Sequence, residues 1–355
     1  MKKPGKASVG DIARAAKLSR TAVAFALQNR PGVSAATRQR VQRIAKRLGY
    51  SPDARITSWM ARVREAKVKD FLPIAWLNTN SSEDTWTKFK FHTPYLEGAR
   101  ESCRDLGYHL DEIWTGQPGM TMRRISQILY QRHIQGVIVT YGARHLRLNW
   151  ENLAAVALGG SLLAPRIHRV MNDSNFNLLL ALKALRRTGY RRIGICLANQ
   201  VDQFSQRVLH STAQHFSMMT PESNRVPPLF YRGENDAMIH EAERQFTTWI
   251  HRYRPEVVLG SSNLLLKWTK AAGLTVPKDV GIVHLAKDDD VLDWAGIHSN
   301  KKEMGATAAE WVISLVQNHR FGVPRVGLDM LVRGTWSAGW TLPPRKPTKY
   351  SQATC

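Results

Sequence analysis

The chain has 355 residues, of which 43% are hydrophobic, and a formal net charge of +23. The length leaves room for two or three domains after a small head, and the apolar content is that of an ordinary globular protein. The charge is uneven, with 17 Lys/Arg against 4 Asp/Glu in residues 1–70, which points to a polyanion as partner of the N-terminal fifth.

Residues 1–7 read as a basic arm. From Val9 to Tyr50 short apolar stripes at helical spacing alternate with turn residues. Ile12, Ala13 and Ala16 share one side of a first helix. Lys17 and Leu18 form a tight connection. Ser19 is suited to cap a second helix, because its hydroxyl can accept from a free backbone N–H. Asn29 to Gly32 breaks that helix. Ser34 then caps a third helix, with Val41, Ile44, Ala45 and Leu48 as its apolar stripe and Gly49 as its stop. In the second helix Val23, Ala26 and Leu27 fall at i, i+3 and i+4 and face the other helices. Arg20, Thr21, Ala24, Phe25 and Gln28 fall on the other side. Such a face suits a DNA major groove: arginine forks onto guanine, glutamine pairs with adenine, and threonine or phenylalanine touches a thymine methyl. The plainer alternative is a small helical bundle with a solvated basic face.

DIARAAKLSRTAV, PGVSAATRQRV and LGYSPD together resemble the DNA-binding head of the lactose-repressor (LacI/GalR) family, almost unbroken from Val9 to Asp53. The resemblance implies a helix-turn-helix with Arg20 and Thr21 at base-contacting positions. Phe25 stands where the family usually has arginine, Ala24 where it has serine, and Asp53 where asparagine is common. The expected DNA-contacting set is Ser19, Arg20, Thr21, Phe25, Gln28, Asn29, Thr37, Tyr50 and Trp59. Trp59 belongs to ARITSWMARVREAKVKD, where Ile56, Trp59, Met60 and Val63 make a helical stripe. The resemblance makes this the hinge, a short helix that wedges an apolar side chain into the minor groove, with Trp59 in place of the usual leucine. Packing of Trp59 on the next domain is the alternative.

From Leu72 strands and helices alternate. LPIAWLN, YHLDEIW, GVIVTY and AAVALGG read as strands, with helices over Tyr95–Gly107 and Met122–Arg132 between them. HRVMND resembles the family's crossover into a second lobe. Helices are expected over Asn175–Thr188, Phe204–Met218, Ala237–Tyr253 and Leu264–Ala272, and strands at RIGICLA, EVVLGSS and VGIVHLA. Thr220 to Pro228 reads as a loop, IHSNKKEMGATAAEWVISLVQN as a loop and helix, and VGLDMLVRGTW resembles the family's terminal strands. The resemblance implies an all-α helix-turn-helix head followed by an α/β, two-lobed, periplasmic-binding-protein-like domain with doubly wound parallel sheets. The expected divisions are a head at 1–50, a hinge at 51–70, lobes within 71–343 and a basic tail at 344–355. Lobe 1 takes 71–169 and 297–323, and lobe 2 takes 170–296 and 324–343.

Doubly wound lobes bind ligands outside the carboxyl ends of their strands. Those ends carry Asn78 with Asn80 and Trp86, Tyr141, Gly159 with Ser161, Asp202 to Arg207, Ser261 to Asn263, and Lys287 to Asp290. The expected ligand-binding set is Asn78, Trp86, Tyr141, Arg207, Asn263 and Asp288. Arg207 matches a family arginine that holds ligand. The family's Asn-Asp pair is Asn263-Leu264 here, and Gly159 stands where some members have aspartate. A typical free hexose is therefore not the expected ligand; an acidic or modified sugar, or a cleft without a small molecule, stays open.

Other chemistries find little support. Cys103, Cys196 and Cys355 are widely spaced and odd in number, which argues against a disulfide framework or zinc finger. Asp288-Asp289-Asp290 reads as a solvated loop or cap, since three consecutive residues rarely face one ion. His240-Glu241 lacks the second histidine of a zinc-protease motif, and there is no GxSxG, GxGxxG or GKS/T loop. MKKPGKASVGD has no apolar segment after its lysines, and no run approaches membrane-spanning length. The expectation is a cytoplasmic, non-enzymatic transcriptional regulator, of the repressor type, without cofactor or metal. It acts as a homodimer on a near-palindromic DNA operator under control of a small polar effector, a sugar or sugar derivative. The alternative is a carbohydrate-binding protein with a vestigial head.

Overall fold

A computed structural model describes residues 9–27, 33–48, 50, 71–88, 92–199, 205–233, 235–287 and 289–343. The chain divides into two compact units, Met1–Asp70 and Phe71–Cys355. The arm at 1–7, the hinge at 51–70 with Trp59, and the tail at 344–355 lie outside the described residues.

Among the described residues the first unit holds three helices, α1 (Val9–Ala16), α2 (Arg20–Leu27) and α3 (Ala35–Arg47). Ile12, Ala13, Ala16, Val23, Ala26, Val41 and Ala45 form its buried core, with Leu18, Leu27, Val33, Ile44 and Tyr50 packed at the margin. Two hydroxyls start the later helices. Ser19 Oγ accepts from Ala22 N at 3.1 Å, and Ser34 Oγ from Thr37 N at 3.3 Å, each satisfying a donor that a helix leaves free. Arg40 Nη2 donates to Ala16 O at 2.7 Å, so α3 closes the carboxyl end of α1. Lys17 turns the chain with φ of 50°.

Among the described residues the second unit contains two six-stranded sheets. The strands are β1 (Leu72–Asn78), β2 (Tyr108–Trp114), β3 (Gly136–Val139), β4 (Ala154–Leu158), β5 (His168–Asn172), β6 (Ile193–Ala198), β7 (Leu229–Tyr231), β8 (Val257–Gly260), β9 (Gly281–Lys287), β10 (Gly296–His298), β11 (Asp329–Val332) and β12 (Thr335–Ser337). The first sheet runs β11-β5-β4-β3-β1-β2, and the second β12-β10-β9-β8-β6-β7. Every pairing is parallel except β10 with β12. The central strands β3, β4, β6 and β8 are buried along their whole length. That is why they read as apolar runs rather than alternations: helices cover both faces of a parallel sheet.

The helices are α4 (Thr85–Lys88), α5 (Thr93–Asp105), α6 (Met122–Gln131), α7 (Ser174–Arg187), α8 (Val208–Met219), α9 (Asp236–Tyr253), α10 (Leu265–Ala271) and α11 (Lys301–Gln317). α5 and α11 lie against each other on one face of the first sheet. A Cβ on Gly98 would stand 1.9 Å from Lys302 O, and one on Gly305 1.9 Å from Tyr95 O. Two glycines therefore allow these helix backbones to touch.

The chain crosses between lobes three times, after β5, after β10 and after β11. Buried Asn177 ties two crossings together: its Nδ2 donates to Asn172 Oδ1 at 2.6 Å, and its Oδ1 accepts from Gly334 N at 2.8 Å. Asn300 Nδ2 adds the third by donating to Arg333 O at 2.8 Å.

Some boundaries differ from expectation. β5 is a ladder strand beside β4, so the first crossing comes after Asn172, and residues 170–172 belong to lobe 1 rather than lobe 2. β11 pairs with β5, from Asp329↔Arg169 to Val332↔Asn172, which moves that strand to lobe 1 as well. The parallel ladder decides both cases. The three-residue strands β7 and β10 and the short α4 were not anticipated, and the helix expected from Phe204 starts at Val208.

Candidate functional site

In the first unit, α2 presents Val23 and Ala26 to the core. By helical register positions 21, 24 and 25 fall opposite that stripe, with position 20 at its edge. The side chains of Arg20, Thr21 and Phe25, and the whole of Gln28 and Asn29, lie outside the described residues. Ser19, Thr37 and Tyr50 are described, and each has a structural task. Ser19 caps α2. Thr37 donates its N–H to Ser34, and its Oγ1 lies 2.9 Å from Ser34 Oγ. Tyr50 packs at the core margin, with its N donating to Ala45 O at 2.9 Å. Arg43, Lys46 and Arg47 are exposed on α3, which keeps a cationic face on this unit.

In the second unit a cavity of about 450 Å³ lies between the lobes, at the carboxyl ends of β1, β3, β4, β5, β8 and β9. Asn80, His92, Tyr95, Tyr141 and Gly159 line it from the first lobe, Met171 and Asn172 from β5, and Asn177, Ser205, Leu209, Ser261 and Leu285 from the second. The position is that of a ligand site in doubly wound folds.

An aromatic group forms one wall. The Tyr95 and Tyr141 rings meet edge to face with centroids 5.7 Å apart, and Tyr141 Oη donates to Tyr95 Oη at 3.4 Å. The His92 ring lies 6.3 Å from Tyr141. Burial, helped by the nearby positive charge of Lys301, pushes the His92 pKa down to about 4, so the imidazole is neutral at pH 7. Burial also raises the pKa of both tyrosines, which stay protonated and able to donate. Gly159, at φ 72°, makes room for this wall, since a Cβ there would stand 1.9 Å from Tyr141 Cε1. A tyrosine ring thus fills the space that the expected family aspartate would need. Thr79 Oγ1 fixes the Tyr141 loop by donating to Tyr141 O at 3.0 Å and accepting from Ala143 N at 2.9 Å.

Of the expected ligand residues, Tyr141 lines the cavity. Asn78 stands behind it: Nδ2 donates to Glu83 O at 2.9 Å, and Oδ1 accepts from Asn80 N at 3.0 Å. It is Asn80 that reaches the lining. Arg207 and Asn263 are exposed and outside the lining. Trp86 lies on α4 with its side chain outside the described residues, as is the whole of Asp288. Lys287 turns away from the cavity, its Nζ donating to Leu292 O at 2.8 Å, Trp294 O at 2.9 Å and Ser337 Oγ. His92, Tyr95 and Asn172 were missed by sequence reasoning. The available signal was the aromatic spacing at the start of α5, directly after the β1 loop. Among the described residues no group of three or more His, Cys, Asp or Glu could hold a metal ion, and no helix is long and apolar enough to cross a membrane.

Residues 8–53 match the model of the bacterial regulatory proteins of the lacI family, and residues 182–335 match the periplasmic binding protein-like domain. The chain belongs to the LacI family. It is a DNA-binding transcriptional regulator built from that family's helix-turn-helix head and ligand-binding lobes. The ribose operon repressor of Escherichia coli K12 is 23% identical over 94% of this chain and 100% of its own. The ribose operon repressor of Haemophilus influenzae is 26% identical over 57% of this chain and 58% of its own. The repressor PurR of Vibrio vulnificus is 21% identical over 93% and 98%. Among solved structures, a CelR–cellobiose complex shares the fold with a TM-score of 0.56 at 17% identity, covering 94% of this chain and 99% of that one. The lac repressor dimer bound to operator and the anti-inducer ONPF gives a TM-score of 0.56 at 15% identity, covering 96% and 100%. At these identities the structural likeness speaks to the fold.

Proposed function

We propose that this LacI-family regulator represses transcription as a homodimer. Each head reads one half of a near-palindromic operator through α2, with Arg20, Thr21, Phe25 and Gln28 toward the base edges and Ser19, Asn29, Thr37 and Tyr50 at the backbone. Trp59 serves the hinge. No catalytic step is assigned, and the protein acts in the cytoplasm, where its DNA is.

The effector is a small polar molecule, a sugar or sugar derivative, held in the interlobe cavity. The observation that carries this is the lining itself, which sets amides and hydroxyls of both lobes (Asn80, Asn172, Ser205 and Ser261) around an aromatic wall. Such a lining hydrogen-bonds hydroxyls and packs against the C–H face of a ring. Trp86, Arg207, Asn263 and Asp288 join the site where the lobes rearrange around ligand. The repressors of ribose operons and the cellobiose-bound regulator named above support a carbohydrate.

A thermal-shift screen of the full chain against neutral sugars, sugar acids and sugar phosphates tests the ligand, since a ligand that binds the folded state raises its stability. A hit that is lost in Asn172→Ala supports the site, and a hit that survives Asn172→Ala and Ser261→Ala together refutes it. Selection of genomic fragments by the purified protein tests the operator. Recovery of a two-fold motif is expected, and fragments without a shared motif would count against base readout.

A further inference from the structure

On the side of the cleft the guanidinium of Arg169 faces both lobes. Arg169 belongs to β5 of the first lobe, where its Nε and Nη2 donate to Oδ1 and Oδ2 of Asp329 on neighbouring β11, at 2.7 and 2.5 Å. The bidentate pair fixes the plane of the guanidinium. With its carboxamide oxygen turned to that plane, Gln206 accepts from Nη1 at 2.7 Å and Nη2 at 2.6 Å. Gln206 belongs to the second lobe, in the turn just ahead of α8.

That turn is unusual. Gln206 and Arg207 both have left-handed backbone, with φ of 57° and 63°, a conformation that side-chain-bearing residues adopt only when something holds them there. The turn sits between two cleft-lining residues, Ser205 and Leu209. Gln206 itself is exposed, so burial does not hold it; among the described residues Arg169 reaches it from the other lobe.

We propose that Arg169 is a positioning residue of the effector cleft: oriented by Asp329, its guanidinium grips Gln206 across the lobe boundary and holds the Ser205–Leu209 turn where it lines the cavity. Opening of the lobes breaks the Gln206 half of this contact and leaves the Asp329 half intact, because Arg169 and Asp329 share a sheet. The guanidinium is then already set for closure, and the turn is free to relax. The role rests on the cleft being the effector site. Its test needs no effector, so failure of a ligand screen and failure of this proposal are separate results.

Hydrogen exchange of the full-length, ligand-free protein reads the turn directly. Gln206→Ala removes an exposed side chain and leaves both cores untouched. Exchange of the amides of residues 205–212 is expected to speed by roughly 2–10-fold, the range set by loss of ordinary hydrogen bonds. Arg169→Ala should do the same, and the double variant should be no faster than the single ones, because both remove one contact. Peptides covering β8 should not change. Gln206→Glu supplies a readout that a merely structural role would not move. With Arg169 present it slows exchange in 205–212, and in an Arg169→Ala background it speeds exchange, because Asp329 then repels it. Unchanged exchange in Gln206→Ala, additive effects in the double variant, or a Gln206→Glu effect that ignores Arg169 would each overturn the proposal.

Discussion

Tyr141 occupies the space beside Gly159: a Cβ on that glycine would fall 1.9 Å from the ring. The two residues close β3 and β4 respectively, so one wall of the cleft depends on an absent side chain. Gly159→Ala meets both that clash and a φ of 72°. It is expected to destabilise the larger unit by about 1–3 kcal/mol, measured by urea unfolding. Adding Tyr141→Ala removes the clash and should recover part of the loss. A double variant as unstable as the sum of its singles would show that the two sites are independent.

Base readout is tested at Arg20. Arg20→Ala should weaken the best operator by about 1–3 kcal/mol and relax preference at one base pair. Substitution of Lys46, exposed on α3, by alanine should leave the preference intact. Fluorescence anisotropy against a panel of single-base operator variants reads both. Wild-type discrimination in Arg20→Ala would mean that another part of the head reads the sequence.

His284 gives a pH dependence. Its ring is 2% exposed, and burial, with Lys301 the next cause, pushes its pKa down to about 4 from 6.5. The folded state therefore binds this proton less readily than the unfolded state does. Stability carried by the neutral ring is full above pH 6.5, falls as the pH drops through the window from 6.5 to about 4, and is lost below it. The depression corresponds to about 3 kcal/mol at the acid end. In urea titrations between pH 7 and 4.5, His284→Gln should flatten this slope while other acid-sensitive groups keep theirs. A variant with an unchanged slope would remove His284 as its source.

Effector and operator must be coupled reciprocally. A sugar found in the thermal screen should change operator affinity by roughly 5–150-fold, and operator DNA should change sugar affinity by the same factor. Two titrations check the equality. A sugar that binds tightly yet leaves operator affinity unchanged would mean that it does not distinguish the two lobe arrangements.

The head was legible because its determinants are local. Ser19, Ser34 and the Val23/Ala26 stripe lie within a few residues of the bonds they make. The buried strands were legible as apolar runs. β7 and β10 were not, because three residues hold no period and only their ladder partners, β6 for the one and β9 with β12 for the other, make them strands. β11 was read as a strand but given to the wrong lobe, since lobe membership is set by pairing with β5. At the cleft the strand ends were legible but their pleat was not: Asn78 and Asn80 look equivalent in sequence, and the backbone sends the first behind the cavity and the second to its wall. Arg207 depends on a left-handed turn that its own residue type does not announce.

The Gly98–Gly305 contact has a consequence for synthesis. Its two helices are separated by the whole second-lobe excursion from α7 to β10, and α11 contributes Met304, Ala308, Ala309, Val312 and Ile313 to the first lobe's core. A ribosome that has just finished β4 therefore releases a sheet with one oily face covered by α5 alone. That face waits until more than 140 further residues are made. The nascent second lobe, lacking edge strand β12 and the buried Thr341 segment that follows it, is nearer completion at that moment than the lobe that began first. Chaperone protection is expected to be needed over that interval, and chains stalled after residue 300 should be the aggregation-prone species of this protein.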